Sequence, residues 1–363
     1  MLAMMLAACG GDDTPTITPK PDVVVKWEFS PATTVFSDKG ETKNIVVTAN
    51  GDWTVTSGQP WCSLIPNRGG NGQTLLKVTA TANPQATPRT VELTFNAGKQ
   101  SQTYTVTQEG ATVENHVPAG YTLVWADEFD AVRTAGGKPA LPDTQKWWYE
   151  TAGPGWVNNE LQTYVKDFLG TDTVAAIYDG TLKIIAQKQD QKIISARINT
   201  NKSWTYGYFE ARLRVPGGKG TWPAFWMLPE KKPLQWPLDG EIDIMEYVGY
   251  DPGWIHSSVH TKAYNHTIGT QKTAKIEIKT AENQFHIYAV EWTATYIKGF
   301  VDGVEYFRFN NDGAGNKETW PFNVPFYLKL NLAWGGDWGG AQGVDESKLP
   351  ITYEIDYVRV YQK

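Results

Sequence analysis

Short β-prone segments divided by turn residues run along almost the whole of this chain. Between residues 23 and 111, apolar and polar residues alternate over runs such as 43–48 and 90–95. This pattern and its spacing are typical of a small β-sandwich. Alternating segments continue over residues 121–363, for example at 206–215, without the periodicity of long amphipathic helices. The sequence therefore predicts an all-β chain that contains two separate sandwiches.

The predicted domain boundaries follow changes in this pattern. Residues 1–22 form an apolar start and a polar tether, 23–111 the small sandwich, 112–120 a linker, and 121–363 a large sandwich. The small sandwich contains no His and no tight group of carboxylates, so we expect the chemistry in the large one. No apolar run reaches the roughly 18 residues that a membrane-spanning helix needs.

Composition narrows the class of partner. The 33 basic and 39 acidic residues give a net charge of −6, and no basic patch marks a nucleic-acid interface. The chain has 16 Trp and 17 Tyr, whose flat faces suit sugar rings as well as a protein core. The two cysteines, Cys9 and Cys62, are too few for a disulfide framework or a zinc cluster.

The most informative segment is the acidic run Asp239–Gly249. On a regular strand Glu241 and Asp243 share one face, while Glu246 falls on the other. One extra residue, a β-bulge around Ile244 or Met245, would return Glu246 to the face of the other two acids. Mutual repulsion and partial burial would then leave one carboxylate ionised and another protonated, which is what glycoside hydrolysis requires.

Two other interpretations of this strand stay open at this point. The acids could form a solvent-facing acidic strand, or they could bind a hard cation through carboxylate oxygens. The flanking residues Trp222, Trp226 and Trp254 are more typical of a cleft in which sugars stack on aromatic rings than of a polar site that binds a cation. We therefore favour hydrolysis.

The segment Glu241–Glu246 resembles the bulged E-x-D-x-x-E signature of laminarinase-like enzymes in glycoside hydrolase family 16. The resemblance extends over most of 121–363 and includes segments 125–129, 158–162, 206–214, 222–229, 259–261, 285–292 and 355–360. It implies a concanavalin-like β-jelly roll with an open cleft, and an endo-acting hydrolase that retains anomeric configuration and needs no cofactor for catalysis.

The resemblance also implies roles for individual residues. Glu241 is the expected nucleophile, Glu246 the general acid/base, and Asp243 the group that tunes the charge between them. The expected substrate-binding residues are Asn158, Arg197, Trp222, Trp226 and His260, to which we add Trp254 and Trp334 as aromatic surface near the cleft. A structural calcium ion, common in the family, would be bound by Glu128, the Gly180 carbonyl and Asp356. His256 and His260 do not form a zinc protease motif, because residue 257 is Ser.

The N-terminal segments carry two further resemblances. Residues 50–55, Trp61 and residues 104–110 are similar to a BACON domain, an immunoglobulin-like module common in secreted Bacteroidetes glycanases. We favour a spacer role for it over glycan binding through Trp53 or Trp61. The segment Leu6-Ala7-Ala8-Cys9 resembles the end of a bacterial lipoprotein signal peptide, although no basic residue precedes it. This implies a lipid anchor at Cys9 and a location at the bacterial cell surface or in the periplasm, attached to the outer membrane. We also expect the protein to be a monomer.

The predicted substrate is a β-1,3-glucan or a mixed-linkage β-1,3/1,4-glucan. The departure of the segment 249–256 from the pattern of many laminarinases leaves an alternative open, an endo-hydrolase of galactose-containing glycans such as galactans or mucin O-glycans. A noncatalytic glycan-binding lipoprotein is the alternative from another class. The three acids at catalytic spacing favour an enzyme, because a binding protein has no use for a proton donor and a nucleophile.

Overall fold

The protein is described here by a computed structural model that covers residues 24–130, 139–166 and 173–363. The chain divides into two compact units, Met1–Ala82 with Arg89–Gln108, and Asn83–Pro88 with Glu109–Lys363. Residues 83–88 thus group with the larger unit, where the Arg212 guanidinium donates to the Pro84 carbonyl at 2.7 Å. Among the described residues, no helix has the length and apolar character needed to cross a membrane.

The smaller unit is a sandwich of two sheets. Its strands are β1 (Trp27–Ser30), β2 (Thr34–Phe36), β3 (Glu41–Ala49), β4 (Trp53–Ser57), β5 (Cys62–Ile65), β6 (Arg68–Gly69), β7 (Gly72–Ala80), β8 (Arg89–Ala97) and β9 (Gln100–Gln108). They pair in the orders β1-β3-β7-β5 and β2-β9-β8-β4-β6. Trp53 is 2% exposed in the core, which leaves no ring face for a sugar, and the half-buried Trp61 is covered by the Arg89 guanidinium at 4.4 Å.

The larger unit contains the remaining strands. They are β10 (Thr122–Asp127), β11 (Trp147–Tyr149), β12 (Thr163–Tyr164), β13 (Ala175–Tyr178), β14 (Thr181–Gln189), β15 (Lys192–Ser195), β16 (Arg197–Trp204), β17 (Gly207–Arg214), β18 (Thr221–Pro229), β19 (Glu241–Tyr247), β20 (Trp254–His260), β21 (Lys272–Glu277), β22 (His286–Trp292), β23 (Tyr296–Val301), β24 (Val304–Asn310), β25 (Phe326–Trp334) and β26 (Ile351–Gln362). The described helices are short: α1 (Gly336–Gly339) and 3-10 turns at His266–Ile268 and Glu346–Lys348.

These strands form two large sheets around one core. The first has ten strands, in the order β12-β15-β14-β26-β17-β22-β23-β24, with β10 beside β26 and β13 beside β14. The second has seven strands in the order β11-β16-β25-β18-β19-β20-β21. The two sheets confirm the predicted all-β sandwich. Alternation along the central strands β18 and β25 sends Phe225, Met227 and Leu330 into the core and leaves Trp226 and Asn331 on the opposite face, which lines a cavity.

Candidate active site

The strand β19 carries the three acids, and it is bulged as the sequence predicts. Against β18, Met245 pairs with Phe225 and Asp243 with Trp226, so that one residue of β19 has no partner. The pairing with β20 shifts in the same place. Ile244 and Met245 both pack in the core although they are adjacent, and the parity of the strand changes at this point. Consequently Glu241, Asp243 and Glu246 all line the same cavity.

The environment of Glu241, Asp243 and Glu246 favours the protonated form of their carboxyl groups. Asp243 is 2% exposed and the two glutamates are half-buried. Burial raises the pKa of all three carboxyl groups, and the charge of Asp243 adds to the rise for both glutamates. The charge interaction with His260 lowers the pKa of both glutamates. His260 Nε2 lies 3.2 Å from Asp243 Oδ2 and 3.9 Å from Glu241 Oε1. The three carboxyl groups therefore share protons near neutral pH.

Each of the two glutamates accepts a hydrogen bond from its own tryptophan. Trp236 Nε1 donates to Glu241 Oε2 at 3.0 Å, and Trp222 Nε1 donates to Glu246 Oε1 at 3.0 Å. Neither indole contacts the second oxygen of its glutamate through these bonds. A pair of carboxylates on one face, each oriented by an indole, can supply a nucleophile and a proton donor to opposite sides of one bond.

The cavity over the seven-stranded sheet has a volume of about 1430 Å³. Of the predicted substrate-binding residues, it is lined by Asn158, Arg197, Trp222, Trp226 and His260. Asn331 Oδ1 accepts a hydrogen bond from Trp226 Nε1 at 2.7 Å, so this indole is fixed in the floor. The combination of aromatic faces and hydrogen-bonding groups suits a carbohydrate ligand.

Two predicted substrate-binding residues do not reach this cavity. Trp334 is fully buried, with 0% of its surface exposed, because its position in β25 has the parity of the core residues. Its prediction as a sugar-binding residue was wrong. Trp254 begins β20 but is not part of the cavity lining, and the Lys275 ammonium lies 4.2 Å from the centre of its ring. The structure therefore gives Trp254 no contact with the candidate site.

Sequence reasoning missed other residues of the cavity. Trp236 lies in a loop before β19, and Trp338 lies in α1, where its ring packs edge-on against Trp222 at 5.4 Å and against His256 at 5.1 Å. Burial lowers the pKa of His256 to about 4, so this imidazole is neutral in the cavity wall. Neither tryptophan lies in a strand, so the alternation of faces along a strand could not predict its position. The only signal in the sequence for further cavity tryptophans was the abundance of Trp in this part of the chain.

The two carboxylates of the predicted calcium site pair with arginines in the structure. Both oxygens of Glu128 accept hydrogen bonds from Arg359 at 2.8 Å, and Asp356 pairs with Arg212 at 2.7 Å. The two carboxylates are thus neutralised by guanidinium groups, while Gly180 lies in the turn between β13 and β14. Calcium binding stays a prediction, and no step of the chemistry depends on it.

Within 24–130, 139–166 and 173–363, one group of three side chains could hold a metal ion. It consists of Glu241, Asp243 and His260, whose ligand atoms all lie within 4.8 Å of one another. A cation there would occupy the carboxylates that hydrolysis needs, so we assign no metal to it. The predicted lipidation residue, Cys9, lies outside the described residues.

The raised pKa of Glu246 predicts a pH-dependent change in stability for Glu246→Gln. A carboxyl group whose pKa is raised by folding lowers the stability of the protein as pH rises. The loss begins near the pKa of the group in the unfolded chain and is complete above its pKa in the folded state. Glutamine cannot ionise, and its Oε1 can still accept from Trp222. We expect the variant to be more stable than the wild type by about 1 kcal/mol at pH 8 and equal to it near pH 4. Calorimetric melting at both values tests this, and an equal difference at both would contradict it.

Comparison with known proteins agrees with this geometry. Residues 164–359 match the family described as Glycosyl hydrolases family 16, and residues 26–111 match a family described as Viral BACON domain. A beta-glucanase from Rhodothermus marinus is 46% identical over 254 residues, which cover 67% of this chain and 85% of that protein. The crystal structure of the laminarinase from Rhodothermus marinus aligns with a TM-score of 0.62 at 45% identity, over 67% of this chain and 97% of that one.

A further solved structure contains a bound oligosaccharide. It is a mutant of SCLam, described as a non-specific endo-beta-1,3(4)-glucanase and crystallised with 1,3-beta-D-cellotriosyl-glucose. It aligns with a TM-score of 0.63 at 43% identity and covers 68% of this chain and 96% of that one. The similarity in both sequence and structure thus spans nearly the whole of these solved domains.

Proposed function

The chain belongs to glycoside hydrolase family 16, and on this premise we propose that it hydrolyses β-1,3-glucans or mixed-linkage β-1,3/1,4-glucans internally, with retention of anomeric configuration. The observation that carries the proposal is the bulge in β19, which turns Glu246 to the cavity face that Glu241 and Asp243 share. The relatives that are named as glucanases support this substrate class over the galactose-containing glycans of the alternative.

In the proposed first step, a Glu241 oxygen attacks the anomeric carbon while Glu246 protonates the departing sugar oxygen. The glycosidic bond breaks as the bond to Glu241 forms, and a covalent glycosyl-enzyme results. Glu246, now ionised, takes a proton from water, which attacks the same carbon and releases Glu241. Each carboxyl group thus passes through both charge states, which a cluster that shares protons near neutral pH allows.

Asp243 and His260 support the charge changes of this cycle. The carboxyl of Asp243 lies between the two glutamates on the strand, and ionisation of one glutamate is easier when Asp243 holds a proton. His260 Nε2 lies close to both Asp243 and Glu241, where its N–H can stabilise developing negative charge. We propose that both are positioning residues for the nucleophile.

Substrate binding is proposed for the aromatic and polar residues along the cavity. Trp222, Trp226 and the newly identified Trp236 offer indole faces around the acids, and Asn158 and Arg197 offer hydrogen-bond donors. A noncatalytic binding role is not proposed, because the chain retains all three acids in one cavity and belongs to a family of hydrolases.

Further proposals concern the lipid anchor, the oligomeric state and the smaller unit. The lipid anchor at Cys9, and with it attachment to the outer membrane, rests on the sequence resemblance alone. The monomeric state is likewise an expectation from the sequence. The spacer role of the smaller unit has one supporting observation, the burial of Trp53.

A product profile tests the proposed substrate class. The full chain is incubated with laminarin, lichenan, barley β-glucan, agarose, carrageenan and mucin O-glycans, and the oligosaccharides released are separated by chromatography. We expect a ladder of short oligosaccharides from laminarin or from the mixed-linkage glucans, since an open cleft permits internal cleavage. Cleavage of agarose, carrageenan or mucin glycans with none of the glucans would contradict the proposal in favour of the alternative.

A further inference from the structure

A group of three charged residues lies in the cavity wall beyond Trp226, away from the carboxylate strand. Lys329 is on β25, where its neighbours across the sheet are Trp226 on β18 and Asn199 on β16. Glu150 directly follows β11, and its backbone N–H donates to the Arg197 carbonyl at 2.9 Å. Glu150, Arg197 and Lys329 all line the cavity. Lys329 on β25 lies two strands from β19, Arg197 on β16 lies three, and β11, which Glu150 follows, lies four, which is roughly 10–20 Å.

Both cations of this group lie beside one oxygen of the Glu150 carboxylate, and Lys329 donates a hydrogen bond to it. Lys329 Nζ donates to Glu150 Oε2 at 2.7 Å and to Asn199 Oδ1 at 2.6 Å. Arg197 Nε lies 3.5 Å from the same Glu150 oxygen. The Arg197 guanidinium also packs over Trp226 at 4.8 Å and over Trp156 at 5.1 Å. The Glu150 carboxylate is therefore held by a hydrogen bond from the buried Lys329, with the buried Arg197 guanidinium beside it.

Lys329 is buried in the sheet, and its ammonium pairs with the Glu150 carboxylate. Lys329 is 0% exposed and Arg197 is 5% exposed, and a buried ammonium is costly unless a charge partner and hydrogen bonds compensate it. Burial, with the adjacent Arg197, lowers the pKa of Lys329 to about 7, and Glu150 opposes this change. Glu150 is thus the group that favours the charged form of Lys329.

The second oxygen of Glu150 is left for a ligand. No described residue hydrogen-bonds Oε1, and the side chain is 23% exposed to the cavity, in contrast to the two cations behind it. An ionised carboxylate only accepts hydrogen bonds, so its partner must be a donor such as a sugar hydroxyl. A sulfate or carboxylate group on the sugar would face a like charge at this position.

We propose that Lys329 is a positioning residue that holds Glu150 in place, and that Glu150 binds a hydroxyl group of a neutral sugar beyond Trp226 and selects against acidic sugars there. This inference rests on the proposed function and names a determinant of its substrate specificity. The opposite arrangement, in which the two cations bind an acidic sugar directly, is disfavoured because Glu150 is the exposed member of the group.

Matched variants test the proposal in the full-length protein. Glu150→Gln removes the charge and keeps the shape, and Lys329→Met removes the ammonium and keeps the length of the side chain. The control is Lys298→Met, since Lys298 also pairs with glutamates but lies on β23 in the other sheet. Kinetics are measured with laminari-oligosaccharides of increasing length and with an aryl glucoside, whose single sugar does not extend beyond Trp226.

For the long oligosaccharides we expect KM to rise about 10-fold in both variants, the loss of one hydrogen bond to a charged group, with little change in kcat. The aryl glucoside should show no change, and the double variant should be no worse than either single one, since Lys329 acts through Glu150. Sulfated oligosaccharides should inhibit Glu150→Gln more strongly than the wild type.

Wild-type KM values in Glu150→Gln, or equal losses on the long and the short substrate, would overturn the proposal. Inhibition of the wild type by sulfated oligosaccharides that equals or exceeds that of Glu150→Gln would overturn the selection against acidic sugars. If Lys329→Met does not fold, as judged by circular dichroism, Glu150→Gln alone decides. A wild-type protein that cleaves no glucan would refute the proposed function itself, which is a separate outcome.

Discussion

Replacement of Glu241 with glutamine is expected to lower kcat on laminarin by about 10⁴-fold or more, because the amide cannot form the glycosyl-enzyme bond. The fold should persist, since the oxygen of the new amide could accept the hydrogen bond that Trp236 now donates to the carboxylate. The measurement is the initial rate of reducing-sugar release at saturating substrate, with melting temperature as the check on folding.

A matched control separates this effect from a general loss of acidic charge. Glu318→Gln changes a surface glutamate that pairs with Lys262 and lies outside the cavity. It should retain the wild-type rate. A Glu241→Gln protein that is folded and works within 10-fold of the wild type would show that Glu241 is not the nucleophile.

Replacement of Glu246 with glutamine should lower kcat on natural glucans by about 10²–10⁴-fold, the contribution of a positioned general acid. The size of the loss should depend on the leaving group. A glycoside of dinitrophenol needs no proton to depart, so its first step should stay close to the wild-type rate, and the glycosyl-enzyme should accumulate because no base activates water. Added azide should speed the second step and give a β-glycosyl azide.

The comparison of substrates is the readout for this variant. Rates are measured by release of the phenol in a stopped-flow instrument and by reducing sugar for laminarin. An equal loss on both substrates, or no response to azide, would mean that Glu246 does not transfer the proton. The increased stability expected for the same variant at pH 8 is independent of the substrate.

Local patterns were sufficient to predict the strands and the bulge. The three acids lie in a strand whose other residues are apolar, so we expect the acids to share one face of the strand. They can do so only if one extra residue is inserted at Ile244 or Met245. The structure confirms this because the alternation of buried and cavity-facing residues is a property of the backbone itself. The same alternation could have corrected the prediction for Trp334. Lys329, Asn331 and Ala333 of β25 line the cavity, so Trp334 must face the core.

Residues placed by long-range pairing were beyond the sequence. Glu150 and Lys329 are 179 residues apart, and they meet because β11, β16 and β25 are neighbours in one sheet. Trp236 and Trp338 lie in connections whose path depends on packing against that sheet. Trp254 is the opposite case: it is close to the acids in sequence but does not line the cavity.

The central claim is that the bulge in β19 places Glu241 and Glu246 for double displacement. Its most direct test is incubation of the protein with a 2-deoxy-2-fluoro-laminaribioside of dinitrophenol, followed by intact mass measurement and peptide mapping. The account predicts the addition of one fluorinated disaccharide, attached to Glu241. Attachment to another residue, or steady release of an α-configured product with no labelled protein, would contradict it.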